Sequence, residues 1–499
     1  MKSVHFKILF AICVALFAFF PLTDSDIWWH LASARDFLEN GLAQKDPFCW
    51  TPSKSPWINV HLFFQLTLYG VFHVAGAWGL VAFKAVLWGV VALLWLLPMK
   101  RKICPVHFAI GIAFAFLFRY GFECRPILAT LLFLGVFWNL LSHLEKNISV
   151  KWVFSAVSML AVEWMWVRTQ GLFPLGFVLA FFAIAFSFPK LSASVKVGNG
   201  IFFALLLLTP LAHEQGMLLW NYPIELLNRL IGGTPSSQIF SQQIAENRAP
   251  TTLLLTGENT VAMIALLFGI VISALAILRY RRLAEPFRVA WLVVGIFLAA
   301  TAERNLTLFF FPFTAMVLMH SGMLLDLRRW IYKNVSISKE KFAKALQIFT
   351  VLLLTFVVGT FARSLPAYFE KGTFKAISEE RIPVAAVKFM GEHPMPKDSK
   401  LFNDDRSGGY LEWALPNVKT FADGRFILKD SSFLANYLNF AENPEDFFAF
   451  ADSNLVFRAL LPIRYIPLWI PLANALEKNT DWTCIYQDES YAIWDKLRK

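Results

Sequence analysis

The chain is short of cysteine, of charge and of repetition. Its five cysteines, Cys13, Cys49, Cys104, Cys124 and Cys484, make no Cys-x-x-Cys pair and no metal-ligand spacing, which argues against a disulfide framework or a zinc ribbon. Cys49 and Cys124 fall on one outer face, where pairing is open to them, but two unpaired thiols is the simpler reading. Only 16% of the 499 residues are charged, too few to cover a soluble protein of this length. No RNA- or DNA-binding motif accompanies the net charge of +11, so nucleic acid is set aside as a partner. No internal repeat is present, which argues against a transporter or flippase built from two related halves. No small-x-small cleavage site follows the first apolar run, so Phe6 to Leu22 reads as an uncleaved span rather than a removed signal.

What is present is apolar sequence. Hydrophobic residues make up 57% of the chain, with 51 Phe, and apolar runs near the length of a membrane span recur along it. The chain therefore reads as an α-helical polytopic membrane protein. Its basic residues explain themselves as cytoplasmic loop charges when the runs alternate as follows: Phe6 to Leu22, Trp78 to Pro98, Pro105 to Phe118, Ile127 to Leu144, Trp152 to Val167, Leu172 to Phe188, Ile201 to Ala212, Val261 to Leu278, Phe287 to Ala302, Leu306 to Leu325 and Ala345 to Phe361. The clusters Lys100-Arg101-Lys102, Lys146 with Lys151, Arg279 with Arg281 and Arg282, and Arg328 to Lys344 then share one side. That is about eleven spans, N-terminus inside and C-terminus outside, in a bacterial cytoplasmic membrane. One run, Val60 to Ala75, carries His61, Gln65, Thr67, Tyr69 and His73 and is kept out of the membrane as an interfacial helix.

The membrane domain is placed at residues 1–362, with a first outer loop at 23–77 and a second at 213–258, the latter holding an amphipathic piece near Trp220 to Leu230. Residues 363–499 have the mixed composition of a small extracytoplasmic α/β domain. Short strands are expected there at Ser399 to Asn403, Val418 to Phe421, Leu455 to Leu460 and Tyr491 to Trp494, with helices near Ile382 to Glu392 and Asp446 to Asp452.

The first outer loop opens Thr23-Asp24-Ser25-Asp26-Ile27-Trp28-Trp29-His30. Two acids followed by indoles fall at the depth where a bilayer meets water. A helix is expected over Asp26 to Asn40, lying along the membrane face on Ile27, Leu31, Ala34 and Leu38, ended by Gly41, with a turn at Asp46-Pro47. Lys84 lies inside a span, where it either snorkels outward or faces a polar cavity and meets an anion. Arg119, Glu123 and Arg125, then Glu163 with Arg168, then Glu303 with Arg304, bracket outer turns. Each alone is an interfacial anchor; together with Asp24 and Asp26 they have the composition of a site for an anionic headgroup. His30 and His61 read as hydrogen-bonded interface residues rather than metal ligands. Asp404-Asp405 and Asp423-Gly424-Arg425 look at first like a second acidic site, but Asp-Gly is a common turn and is read as one.

An acidic motif just after the first span, a second acidic position in the next outer loop, many spans and an outer C-terminal domain together resemble the GT-C superfamily of polyprenyl-phosphate-dependent glycosyltransferases. Asp-x-Asp-Ile-Trp-Trp-His-Leu-Ala at 24–32, Asp46-Pro47-Phe48, Arg125-Pro126, Thr209-Pro210, Gly408-Gly409-Tyr410 and Asp423-Gly424-Arg425 look like a bacterial multi-pass family placed in that group. The resemblance implies that Asp26 is the catalytic acid, with Asp24 beside it and Glu123 at the second acidic position. It places Lys84 near a donor phosphate, where Arg125, Arg119 and Arg304 add cations, and leaves Trp29, His30 and His61 to line an acceptor pocket. The implied donor is a polyprenyl-phosphate sugar and the acceptor a glycan, lipid or protein. No cofactor is required by these residues, and a divalent cation is compatible with them. Two departures stand out: Asp26-Ile27 replaces the usual Asp-Glu pair, and Gln170-Gly171 stands where relatives often carry His-Gly. The alternatives are a membrane transporter or flippase of a lipid-linked or anionic substrate, with Lys84, Glu163 and Arg304 lining its pathway, and a non-catalytic membrane scaffold.

Overall fold

The computed structural model describes residues 3–53, 56–98, 105–144, 147–231, 233–280, 285–318, 334, 338–370 and 372–497. The basic clusters at Lys100 to Lys102, Lys146, Arg281-Arg282 and most of Arg328 to Lys344 lie outside these residues. Among the described residues the architecture is mostly helical. Six helices are long and apolar enough to cross a membrane: Leu62–Leu96, Pro126–His143, Val150–Val167, Ala193–Ala212, Thr260–Leu278 and Lys339–Ser364. Four shorter apolar helices, Val4–Phe17, Pro105–Leu117, Pro174–Lys190 and Pro286–Thr301, fall at further expected spans. Leu62–Leu96 is broken at Gly76, whose φ of 62° takes the chain out of helical geometry between the polar run and the apolar one that follows. The chain divides into two compact units, one of Met1–Phe20, Val81–Pro223 and Gln242–Tyr368, the other of Pro21–Leu80, Ile224–Ser241 and Phe369–Lys499.

The first unit is packed through aromatic rings and small residues. Between lipid-exposed helices, burial from water supplies no drive to associate, so shape and ring contact must. Trp95 meets Trp138 at 4.9 Å and Trp88 meets Phe122 at 4.8 Å, while Phe114 meets Phe313 at 5.0 Å. Each buried indole nitrogen of the first two finds a carbonyl: Trp88 donates to Glu123 O at 3.0 Å and Trp95 to Leu131 O at 3.1 Å. The Phe-rich helix Leu306–Phe313 is buried throughout its length.

The second unit holds a hairpin of β1 (Phe369–Glu370) and β2 (Thr373–Phe374) and a four-stranded sheet of β3 (Lys400–Asn403), β4 (Val456–Pro462), β5 (Trp482–Gln487) and β6 (Tyr491–Lys496), in the order β3-β4-β6-β5. β3 runs parallel to β4; the other pairs are antiparallel. Alternation along β3 sends neighbouring side chains to opposite faces. Leu401 packs with Ala386, Val387, Met390, Leu411, Leu460 and Ile493, while Phe402 stacks among Phe421, Phe447 and Trp469. Strands at β3, β4 and β6 and helices at Val384–Glu392 and Pro444–Asn454 meet expectation. Val418 to Phe421 does not join the sheet. Its backbone bonds go to the loop after the helix Asp26–Asn40: Thr420 N donates to Phe48 O at 3.2 Å, and Trp50 N donates to Thr420 O at 2.9 Å. The edge strand β5 and the helices Asp405–Ala414, Ser431–Glu442 and Ile470–Lys478 were not expected.

Asp404 caps the Asp405–Ala414 helix, accepting from Arg406 N at 3.1 Å and from the Ser407 hydroxyl. Burial, then the neighbouring Asp405, pushes its pKa up to about 7. The folded state therefore holds this proton more tightly than the unfolded one, and the group's contribution to stability falls as pH rises from about 4 to about 7, then levels off. Asp404→Asn keeps a capping acceptor without the proton. Thermal unfolding of the purified protein across that range should show a flatter pH dependence and a higher melting temperature at pH 8 for the variant.

Candidate functional site

The Asp26–Asn40 helix forms over the expected residues, and Gly41 N closes it on Phe37 O at 2.9 Å. Its surroundings differ from expectation. Rather than lying along a surface on one apolar stripe, its first two turns are buried on every side, from Ile27 to Ala34, while Leu38 is exposed. The reason is the Asp405–Ala414 helix of the same unit. Arg35 crosses to that helix's C-terminal end, donating to Glu412 O at 2.8 Å and Trp413 O at 2.9 Å, where unpaired carbonyls and the helix dipole favour a cation. Trp28 meets Tyr410 edge-on at 4.8 Å.

Asp24 is buried, and its Oδ1 accepts from Asp26 N at 3.3 Å, tying down a helix-start donor. Asp26 itself is half-buried in the first turn. Its carboxylate sits against Gly424: a Cβ built there would overlap Asp26 Oδ1 and come within 3.7 Å of Trp29 Nε1. Gly408 and Gly409 allow the same close approach: a Cβ on the first would overlap the Ala422 carbonyl, and one on the second would come within 2.9 Å of Ser25 O and 3.0 Å of Trp29 N. His30 packs on Trp29 at 3.7 Å and lies 5.4 Å from His61, with Trp29 to His61 at 6.1 Å. The residues expected to line an acceptor pocket are thus neighbours in one unit with both acids.

The turn Asp423-Gly424-Arg425 is more than a solvent turn. Asp423 and Arg425 are both buried, and the Arg425 guanidinium is gripped twice by Asp423 and once by Asp46 Oδ1 at 2.8 Å. Phe48, Trp57 and Trp29 rings surround it at 4.9, 5.0 and 5.7 Å. Lys429 donates to Thr51 Oγ1 at 2.7 Å and reaches Asp46 at 4.0 Å. Burial pushes Glu412 well above the usual carboxylate range, with Asp423 adding to it. Burial works to raise Asp423, but the charge of Arg425 together with hydrogen bonds from Glu412 and Arg425 holds that acid below its ordinary value. Burial and the carboxylates of Asp423 and Asp46 push the Cys49 thiol far up. Cys49 and Cys124 are not joined to each other. Among the described residues, Cys49, Glu412 and Asp423 are the group of three ligand-type side chains close enough to share an ion.

The remaining candidates lie in the first unit. Lys84 is fully buried and does not snorkel: its Nζ donates to Phe20 O at 3.1 Å, sits 3.4 Å from the Phe20 ring centroid and lies 3.9 Å from Glu123 Oε2. Arg125 pairs with Glu246, and Arg304 approaches the same carboxylate at 3.8 Å, each about a third exposed. Arg119 turns inward instead, donating to Phe116 O and Tyr120 Oη at 2.8 Å. Glu163 is wholly buried with no hydrogen-bond partner for either oxygen.

Sequence reasoning missed Asp46, Cys49, Glu412, Arg425 and Glu246 as members of polar clusters. The legible signal was an arginine after Asp-Gly set between Phe421-Ala422 and Phe426-Ile427, apolar flanks that would bury it.

No protein-family model and no curated protein matches the chain by sequence. Solved structures do match. The oligosaccharyltransferase AglB from Archaeoglobus fulgidus, in complex with an inhibitory peptide and a dolichol-phosphate, is similar at TM-score 0.55 and 13% identity, over 92% of this chain and 69% of that one. The apo form of the A. fulgidus enzyme gives TM-score 0.58 at 14% identity over the same shares. The form tethered through a disulfide to an acceptor peptide gives 0.52 at 13%, also over 92% and 69%. At such identity the likeness is one of fold: the chain, mostly helical with a small C-terminal sheet, is similar in fold to these oligosaccharyltransferase structures.

Gly408→Ala must move backbone, and overpacking of this kind costs about 1 to 3 kcal/mol. Gly424→Ala meets the end of a rotatable carboxylate, so it displaces Asp26 at smaller cost. Thermal unfolding should rank Gly408→Ala as the more damaging of the two.

Proposed function

We propose that the protein is a membrane glycosyltransferase of the GT-C type that moves a sugar from a polyprenyl-phosphate donor to an acceptor hydroxyl outside the cytoplasm. The observation carrying this reading is a fold likeness to oligosaccharyltransferases over nearly the whole chain, combined with a half-buried carboxylate, Asp26, at the helix start where the resemblance puts the catalytic acid. The named neighbours were solved with a dolichol-phosphate and with an acceptor peptide, which supports a lipid-phosphate donor and leaves glycan, lipid and peptide acceptors open.

An alcohol is a weak nucleophile, so the base takes its proton as the new bond forms at the anomeric carbon. In this reading Asp26 accepts that proton, with Asp24 fixing its backbone. The bond from the anomeric carbon to the phosphate oxygen breaks on the opposite side, and the phosphate leaves with the electron pair. One displacement inverts the anomeric centre. Guanidiniums aimed at the growing phosphate charge favour departure. Arg125 and Arg304 suit this best, because they already share one anion, the Glu246 carboxylate, at a partly exposed position. Lys84 and Glu123 form a buried pair behind that role, with Arg119 in reserve. Trp29, His30 and His61 form the acceptor side.

General base catalysis is worth about 10² to 10⁴ in rate. Asp26→Asn should lower by that factor the release of free polyprenyl phosphate from polyprenyl-phosphate sugars incubated with purified, folded protein, while leaving the melting temperature near the parent's. Equal release by variant and parent would remove Asp26 from the chemistry. No release by the parent from any donor would remove the transferase reading.

A further inference from the structure

Within the second unit a sulfur and two carboxylates converge from three parts of the sequence. Cys49 comes from the loop after the Asp46 turn, Glu412 from the last turn of the Asp405–Ala414 helix and Asp423 from the turn before Arg425. Their ligand atoms all lie within 4.8 Å of one another. Thr420 holds the group in place. Its backbone bridges to Cys49 as a strand would, and its hydroxyl lies 2.9 Å from Glu412 Oε1 and 3.5 Å from Cys49 Sγ.

The group is not balanced by its neighbours. Asp423 has Arg425 on its own side, and Asp46 has Arg425 and Lys429. Glu412 Oε1 has the Thr420 hydroxyl and lies 3.9 Å from the Arg425 guanidinium, whereas Glu412 Oε2, on a residue only 1% exposed, has no hydrogen-bond partner although its side chain belongs to the cluster. A buried oxygen left in this way costs about 1 to 3 kcal/mol, more when charged. Either a proton or a metal cation can supply what is missing there.

The sulfur narrows the choice of metal. The Cys49 thiol lies 3.7 Å from Asp423 Oδ2, and once deprotonated it makes with the two carboxylates a mixed donor set that suits zinc and is foreign to magnesium or calcium, which take oxygen shells. Zinc bonds of about 2.3 Å to sulfur and 2.0 to 2.2 Å to oxygen bring tetrahedral ligand atoms to roughly 3.3 to 3.7 Å of one another, so binding would draw the three atoms closer than the 4.8 Å within which they lie. The ligands come from segments more than 350 residues apart in sequence, since position 49 precedes 412 and 423 by 363 and 374. An ion bound by all three would clip the loop that follows Asp26 onto the C-terminal residues.

We propose that Cys49, Glu412 and Asp423 bind a divalent ion of the zinc class, which fastens residues 46–51 to the Asp405–Ala414 helix and the Asp423 turn. This assignment is independent of sugar transfer, and so is its test. Full-length protein in detergent is stripped with chelator, then titrated with Zn²⁺ alone and, separately, with Co²⁺ alone. One equivalent of zinc should survive gel filtration and raise the melting temperature. Cobalt should give a thiolate-to-metal charge-transfer band that Cys49→Ser abolishes, and Glu412→Gln should weaken zinc binding by at least about tenfold. Should Cys49→Ser fail to fold, alkylation of the parent resolved by mass spectrometry substitutes for it: zinc should slow labelling of Cys49 and leave Cys13 and Cys484 unchanged. Failure to retain zinc, a cobalt band indifferent to Cys49, or equal Cys49 labelling with and without zinc would overturn the proposal and leave a protonated Glu412 beside Asp423.

Discussion

The second unit depends on one buried cation. Arg425 sits among Asp423, Asp46 and three aromatic rings, and it joins the loop after the helix Asp26–Asn40 to the C-terminal residues. A guanidinium removed from water costs several kcal/mol unless its donors are met; here Nε and Nη2 donate to Asp423 and Asp46, Nη1 has no hydrogen-bond partner, and a ring box surrounds the group. Lys429 adds a second tie to the same loop through Thr51. Breaking such a pair by removing one partner costs about 3 to 5 kcal/mol, because the other charge stays buried. The loop carrying Asp24 and Asp26 is therefore held by charge as well as by packing.

That charge network works only because backbones come close. Gly408 admits the Ala422 carbonyl, Gly409 admits the start of the Asp26–Asn40 helix, and Gly424 leaves space for the Asp26 carboxylate. Arg35 then fixes the angle between the two helices by capping one with a side chain from the other. Specificity of this kind comes from fitted surfaces that tolerate little added volume. A candidate base held in such a frame has its direction set before any substrate arrives, and preorganisation is where most catalytic advantage is found.

Hydropathy made the helical, many-span character of the chain legible, and capping chemistry placed the Asp26–Asn40 helix to the residue. The break before Trp78 was legible too, because polar residues at 61, 65, 67 and 73 make a poor lipid face. Burial of the Asp26–Asn40 helix was not, since Trp28, His30 and Ser33 look like an exposed or interfacial side until the Asp405–Ala414 helix covers them. Val418 to Phe421 has strand-like residues but spends its hydrogen bonds on a loop far away in sequence, a pairing no local pattern encodes. Asp423-Gly424-Arg425 failed for a related reason. A turn motif reports local backbone preference, and only tertiary contact reveals that its charges are inside.

The two basic clusters of the first unit differ in what an incoming anion would have to displace. Lys84 is sealed from solvent against the Phe20 carbonyl and a partly buried Glu123, and removing that partner would leave the lysine charge buried and uncompensated at a cost of several kcal/mol. Glu246 is a third exposed, and a partly solvated pair contributes only about 0 to 1 kcal/mol, so its carboxylate can give way to a phosphate between the same two guanidiniums at little cost. Bidentate guanidinium geometry also matches a phosphate better than an ammonium does. Under the proposed function, the energetics separate the two clusters: Lys84 stays with its internal partners, and Arg125 with Arg304 is the position at which an anion would exchange.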